Sequence, residues 1–330
     1  MLRLPRFGVE APRTIDEVVA ALQRPGARLV AGGTDILPNL KHRLDDPPLL
    51  VSLAGVHELR EVRRDGDVLR IGAGLTLTDI AEHPEIVAAF PSLAHAAGLI
   101  ASPLIRNMGT LGGNVNLDTR CRYVNQTAFW RTAIGGCLKS EGNVCHVVPG
   151  GRNCVAAMSS DCVPVLISLG ASIVIVGAQG RREVAMEDYY VADGLRHTKR
   201  ADDEVTTEIV VPLPTRPRRA GYAKWTVRRS IDFPLVSVAL RFDLARDSVH
   251  APVEDLSVVV GVLGSKPRVV TRLDDAIGKK LSDASFATIV AERAHAQCKP
   301  LENVPYEAPY RRRMIEVHTR RAIESLVAQG

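Results

Sequence analysis

The sequence predicts an α+β protein built of more than one compact unit. Three observations carry this prediction. Short helical and strand signals are intermixed along the chain, a proline- and arginine-rich stretch interrupts them beyond its middle, and 330 residues exceed what one small domain uses.

Taken in order, Pro12-Arg13-Thr14-Ile15-Asp16-Glu17 opens a helix: Thr14 and Glu17 have capping-box spacing, and Val18, Val19, Ala21 and Leu22 follow. Arg28-Leu29-Val30 reads as a short strand running straight into Ala31-Gly32-Gly33-Thr34-Asp35. Residues 49–53 and 69–71 read as further strands, separated by the charged turn Arg63-Arg64-Asp65-Gly66-Asp67. Residues 78–81 and 93–100 look helical, and a second glycine cluster lies at 109–114. Residues 118–155 are polar and weakly periodic, and a loop of that length is uncommon unless functional or tied down. After Asp161 a helix-like run reaches Gly170, and the β-branched run behind it reads as a strand. The stretch 209–219 is the expected boundary between units 1–215 and 216–330, with 118–155 inserted in the first. Strands at 239–242 and 256–262 and a closing helix at about 310–327 make the second unit a smaller α+β domain.

Apolar residues make up 46% and charged residues 24%, enough to bury an ordinary core. A net charge of +5 is too weak for this length to argue for nucleic acid, and 4% aromatics leave little for base stacking. The first residues lack the apolar core of a secretory signal. The longest charge-free stretch, 162–179, splits at Gly170 and is not a membrane span. A cytoplasmic chain with no membrane partner is the simplest expectation, and six cysteines there read as thiols or metal ligands.

Backbone N–H groups converging in a tight turn hold phosphates, and glycine permits the close approach. The clusters at 31–35 and 109–114 each offer such a nest, with a pyrophosphate between them as the natural ligand; either alone is weak evidence, since a Gly-Gly turn is more often just a turn. Gly72-Ala73-Gly74 offers G-x-G, but Leu77 stands where the third glycine belongs, no acidic residue is suitably placed downstream, and no helix obviously starts there. A Rossmann reading is rejected.

Cys121, Cys137, Cys145 and Cys154 are separated by 15, 7 and 8 residues, without the tight pairs of structural zinc sites. Spacing leaves zinc, an iron–sulfur cluster and unrelated buried thiols all open. His146 is a substitute ligand at most, and an exposed loop histidine otherwise. Arg120, Arg122, Arg131, Lys139 and Arg152 outnumber Asp118 and Glu141 in this loop. They are either a solvated surface or a basic collar that raises a cluster's potential and attracts an acidic electron carrier. Cys162 and Cys298 read as packing. Asp161 reads as a helix cap and Lys224 as a solvent-facing strand residue. Arg311-Arg312-Arg313, Arg320 and Arg321 read as a solvated or subunit-facing side of the last helix. Nucleophile-elbow, zincin, EF-hand and P-loop patterns are absent from the sequence.

With these residues assembled, the chain resembles the FAD-binding medium subunits of the molybdenum hydroxylase (xanthine oxidase) family. The resemblance rests on VAGGTD at 30–35, TLGGN at 110–114, SDCVPVLISLGA at 160–171 and the segment 224–239, and extends to the YRRRM helix. In most of that family the Ser-Asp helix follows TLGGN after a few residues; here about 45 intervene. That insertion is similar to the one in 4-hydroxybenzoyl-CoA reductase beta subunits, where four cysteines hold a 4Fe–4S cluster. Flavin subunits of periplasmic aldehyde oxidoreductases carry a cluster loop too, in less similar surroundings.

The resemblance implies a two-part FAD-binding domain of the PCMH type with an inserted iron–sulfur loop, then the α+β C-terminal flavoprotein domain. FAD contacts would come from Leu29, Val30, Ala31, Gly32, Gly33, Thr34, Asp35 and Ile36, from Thr110, Gly113 and Asn114, and from Asp161 and Lys224. Cys121, Cys137, Cys145 and Cys154 would ligate the 4Fe–4S cluster. No residue would be catalytic, because the substrate chemistry belongs to a large molybdenum-cofactor subunit. A small subunit with 2Fe–2S clusters completes a dimer of heterotrimers. The expected activity is that of a 4-hydroxybenzoyl-CoA reductase-like complex: reduced ferredoxin donates electrons that reach molybdenum, where an aryl-CoA is dehydroxylated. The alternatives are an aldehyde- or purine-oxidising complex of the same architecture, running electrons outward, and a zinc-stapled scaffold without flavin.

Overall fold

A computed structural model describes residues 2–329. Thr14 caps the helix Ile15–Leu22 by accepting the Glu17 N–H at 3.2 Å, while the Glu17 carboxylate reaches back to the Arg13 N–H at 2.7 Å. Val18, Ala21 and Leu22 bury against a parallel three-stranded sheet in the order Gly8–Glu10, Leu49–Ser52, Arg28–Val30. The strand Arg28–Val30 is at the edge, so its carboxyl end runs out freely into the first glycine segment.

A second sheet is antiparallel, in the order Val62–Asp65, Val68–Gly72, Val205–Pro212, Ser172–Gly177, Gly180–Ala185. Its central strand comes last in the chain and pairs Ile209 with both Ile71 and Ile173. Buried on both faces, that strand lacks polar alternation, and most of what was expected to be a boundary lies inside it or its successor. The charged turn is also smaller than expected. Val62–Asp65 is an edge strand, and the reversal is confined to Gly66 (φ 57) and Asp67. The edge tolerates its charges because Arg63 and Arg70 reach Glu208 at 3.0 and 3.4 Å.

The helix expected at 78–81 forms as Leu77–Glu82 and starts just after the G-x-G segment, where no start was foreseen, with Thr76 and Asp79 forming a capping box. The two glycines nevertheless serve packing. A Cβ on Gly72 would lie 2.3 Å from the Leu59 carbonyl oxygen, and one on Gly74 2.8 Å from Leu59 Cβ.

The third sheet, also antiparallel, runs Arg268–Val269, Val253–Gly261, Val236–Leu244, Arg218–Trp225. Val236, Val238, Leu240 and Phe242 face the helices Ala284–Gln297 and Ala308–Ala328. On the opposite face Tyr222, Ala239 and Val259 join the core of the N-terminal unit, where the fully buried helix Cys162–Ser168 packs on this sheet. The two units therefore share a core.

The arginine run on the last helix is divided rather than solvated. Arg313 is exposed, but Arg311 is fully buried and donates to the carbonyls of Leu235 (3.0 Å), Leu301 (2.6 Å) and Val262. Burial holds its pKa down to about 10, and its planar fork of donors satisfies several carbonyls at once, which lysine would not. Among the described residues no helix is long and apolar enough to cross a membrane.

Candidate functional site

Both glycine segments converge on one cleft of about 880 Å³, near the upper end of the range for ligand sites. A smaller cavity of about 640 Å³, walled by Thr78, His95 and Arg106, lies apart from them. The larger cleft is the candidate because the chemistry meets there.

Residues 31–36 form one wall of it, together with Leu29. Within the described residues the backbone N–H groups of Gly32, Gly33, Thr34 and Asp35 have no acceptor. They are free for the oxygens of a phosphate. Gly32 is required for a different reason. Its missing Cβ would sit 1.7 Å from the Met108 carbonyl oxygen, so it lets the two glycine segments touch. Gly33 has φ 71, a left-handed conformation that glycine adopts without strain. Val30 does not line the cleft; it lies in the strand behind it.

The second segment is a short helix, Leu111–Val115, rather than an open nest. Thr110 caps it by accepting the Gly113 N–H at 3.0 Å, and the N–H groups of Leu111, Gly112 and Asn114 are bonded within the chain. Its contribution is close approach: a Cβ on Gly113 would meet only Thr110 Oγ1. Thr110, Gly113 and Asn114 all line the cleft.

Asp161 lines the cleft but caps nothing through its side chain. Capping at that helix falls to Asn114 Oδ1, which accepts from the Cys162 N–H, and to Ser160 Oγ, which accepts from the Val163 N–H. The Asp161 carboxylate accepts instead from Tyr222 (2.7 Å) and from Lys224 Nζ (3.1 Å). Lys224 is accordingly buried, not solvent-facing, and stands behind Asp161 rather than in the cleft wall. Burial pushes the Asp161 carboxyl upward despite the pull of Lys224.

Much of the opposite wall was not foreseen. It consists of Leu195, Arg196, His197, Thr198 and Arg200, with Ile231, Asp232 and Phe233 at the mouth. Their only sequence signal was a basic, irregular run. Ala101 (φ 46) and Ile231 (φ 68) are both left-handed where they meet, Ile231 N–H donating to the Ala101 carbonyl at 3.1 Å. Left-handed backbone at a β-branched residue is strained, and such strain gathers at ligand sites. Arg120 does not line the cleft but ties three residues that do: it pairs with Asp35, donates to Asn39 Oδ1 at 3.0 Å, and lies 4.8 Å from the Phe233 ring.

His197 is buried with Nε2 unpartnered. Burial pushes its pKa down to about 4, Asp118 opposing and Lys139 and Arg200 assisting. The unfolded chain, with histidine near 6.5, takes up that proton first, so stability falls as pH drops from about 6.5 to 4. The expected loss is on the order of 2–3 kcal/mol. Urea midpoints near pH 7 and near pH 4.5 check this: a His197→Gln variant should show the shallower dependence, and identical slopes would refute it.

The four cysteines lie near one another. Cys121, Cys137 and Cys154 are buried together with Val124 and Ala156, with Tyr123 and Val147 packed alongside. Cys145 is half-buried, its sulfur accepting the Val148 N–H at 3.4 Å. Cys137 is presented by a tight knot: its N–H donates to Ser140 O at 2.9 Å and its carbonyl accepts from Ser140 and Gly142. A Cβ on Gly142 would come 2.7 Å from the Cys137 nitrogen. Burial pushes the Cys121 thiol up to about 11, with the three other thiols adding to the shift, so thiolates here need a compensating cation. Among the described residues no three such side chains converge on the point a single ion would occupy.

The expected basic collar is not built. Arg131 is buried, donating to the carbonyls of His42, Arg43 and Gln126; Arg120 is held by Asp35 and Asn39; and Lys139 pairs with Asp118 at 2.5 Å. Only Arg122 and Arg152 of the five are exposed. Nor is His146 free: its Nε2 lies 2.6 Å from Gly136 O and its ring packs 5.1 Å from Tyr123.

Residues 5–214 match the family described as FAD binding domain in molybdopterin dehydrogenase, and residues 222–326 match the CO dehydrogenase flavoprotein C-terminal domain. The chain is 28% identical to the carbon monoxide dehydrogenase medium chain of Hydrogenophaga pseudoflava, over 98% of both chains. It is 31% identical to an aldehyde oxidoreductase FAD-binding subunit of Escherichia coli, covering 71% of this chain and 76% of that one. A solved structure of carbon monoxide dehydrogenase from Hydrogenophaga pseudoflava superposes with a TM-score of 0.79 at 26% identity, covering 99% of each chain.

Proposed function

This chain belongs to the family of FAD binding domains in molybdopterin dehydrogenases, and on that premise we propose how it works within a molybdenum hydroxylase complex. It is the flavin-bearing medium subunit, set between a large molybdenum subunit and a small 2Fe–2S subunit, and it relays electrons outward to a soluble acceptor. The observation that carries this reading is the cleft between the two glycine segments, with unpaired N–H groups at 32–35 on one side and the bare Gly113 on the other. FAD would supply the exchange of electron pairs for single electrons, and a 4Fe–4S cluster on Cys121, Cys137, Cys145 and Cys154 a one-electron site.

The protein's own residues do the rest. The first glycine segment binds the pyrophosphate through backbone donors, Asp161 accepts a hydrogen bond from the nucleotide, and Lys224 keeps that carboxylate ionised and oriented. Residues 195–202 and Phe233 exclude water from the opposite side. Outward flow is preferred because the relatives include a carbon monoxide dehydrogenase medium chain. The likeness to an aldehyde oxidoreductase subunit supports an aldehyde as the partner's substrate.

A second reading keeps the reverse direction, with ferredoxin feeding a 4-hydroxybenzoyl-CoA reductase-like complex. Its support is the likeness of the cysteine-bearing insertion to that of 4-hydroxybenzoyl-CoA reductase beta subunits; the cysteines themselves suit either direction of flow. The purified complex separates the readings: aldehyde oxidation with a dye acceptor is expected, and aryl-CoA reduction without aldehyde oxidation would reverse the choice. Iron and acid-labile sulfide should fall by about four atoms each after Cys137→Ser with Cys145→Ser. An unchanged iron content sinks the cluster.

A further inference from the structure

The segment 193–202 touches both redox sites, and it does so through opposite ends. At the first end Asp193 and Gly194 are fastened to Cys154. The Gly194 N–H donates to the Cys154 carbonyl at 2.8 Å, and Asp193 Oδ1 accepts from the Cys154 N–H at 3.1 Å. The Gly194 carbonyl accepts from Lys139 Nζ at 2.8 Å and from Thr119 Oγ1 at 3.0 Å; Lys139 follows Cys137 by two residues. Ser265 Oγ holds the other side of the same knot, donating to the carbonyls of Cys154 and Ala156 at 3.0 Å each.

No side chain fits at Gly194. A Cβ there would lie 2.8 Å from Cys154 Sγ, 3.2 Å from Ala156 Cβ and 3.2 Å from Ser265 Oγ. The backbone of the segment is therefore in contact with a sulfur that the reading above assigns to a cluster. From the next residue onward the segment is the wall of the flavin cleft, with Leu195, His197 and Arg200 lining it. It is held at the far end by the Val191 N–H to the His197 carbonyl, at 2.9 Å.

We propose that residues 193–202 form a strap that makes the four-cysteine group and the flavin cleft one structural unit, with Gly194 as its positioning residue. The inference rests on the reading of the cysteines as cluster ligands. Ligation draws the Cys154 sulfur into place, the strap follows because Gly194 has no slack against it, and the flavin wall is set as a result. Tight packing transmits such displacements instead of absorbing them. FAD affinity and flavin environment then depend on what the cysteines hold, although no cysteine lines the cleft.

The experiment uses the assembled complex and compares wild type, Gly194→Ala and Ser265→Ala. It reads iron content, the FAD dissociation constant after reversible flavin removal, and the visible circular dichroism of the flavin band. Both variants change residues outside the cleft, so an effect on flavin has to travel through the strap. FAD binding about tenfold weaker with an altered dichroism band is expected for Gly194→Ala, and a smaller change in the same direction for Ser265→Ala. Wild-type flavin affinity and dichroism in folded Gly194→Ala would overturn the strap. Should that variant not fold, the complex carrying Cys137→Ser with Cys145→Ser gives the same test: an altered flavin band supports the proposal and an unaltered one overturns it. A wild-type iron content no higher than the small subunit's 2Fe–2S clusters account for defeats the cluster reading separately, and flavin affinity in Gly194→Ala still decides whether the strap transmits.

Discussion

Gly32→Ala is expected to deprive the protein of FAD. The new methyl would stand 1.7 Å from the carbonyl oxygen of Met108 and 2.4 Å from its carbon. Both are backbone atoms held by the hydrogen bonds of the second glycine segment, where Met108 N–H and Gly109 N–H donate to Ile105 O. No side-chain rotation relieves the clash, so the two segments must part. Overpacking of this kind costs about 1–3 kcal/mol. Spent against the bound geometry, that weakens FAD by roughly tenfold to a hundredfold. Absorbance near 450 nm per mole of purified protein measures it. Gly264→Ala is the control, since a Cβ there meets nothing within 4 Å. Full flavin in Gly32→Ala would show that the contact between the segments does not shape the site.

Asp161→Ala should be the most destabilising single change near the cleft. It leaves the Lys224 ammonium buried, with only the Leu99 carbonyl at 3.2 Å for company, and leaves the Tyr222 hydroxyl without its acceptor. Breaking a buried pair from one side costs about 3–5 kcal/mol, more than the intact pair contributes. Asp161→Asn retains an acceptor for Tyr222 and should lose less. Combining Asp161→Leu with Lys224→Met removes both charges and should recover part of the loss, because burial already disfavours the ionised carboxyl. Urea unfolding of the three variants checks the order. A stability loss under 1 kcal/mol for Asp161→Ala would mean that the pair is hydrated and the buried geometry wrong.

What could be read from the residues divides by range. Thr14 and Glu17, the helix from Cys162 to Gly170 with its strand, and the last helix were legible because caps, β-branched runs and amphipathic spacing are local signals. The helix Leu111–Val115 was hidden by its glycines, which usually mark a turn; it forms because Thr110 caps it and Ala73 and Leu75 accept its first donors. The strand Val62–Asp65 was hidden by charges that only make sense once Glu208, far along the chain, is placed beside them.

The site divides in the same way. Residue types were enough to single out two glycine segments and four cysteines, whereas Asp161 read as a cap and entered the expected site only through the family resemblance. Sequence could not reveal that Lys224 and Asp161 neutralise each other, that Arg120, Arg131 and Lys139 are internal pins, or that residues 195–202 complete the cleft. Each of those depends on contacts between segments distant in the chain, and burial reverses what charge suggests: a cation drawn inside must find an acceptor, and its partners decide its role. Local physics determined the elements and the chemical inventory. Only the shared core of the two units decided which of those residues meet.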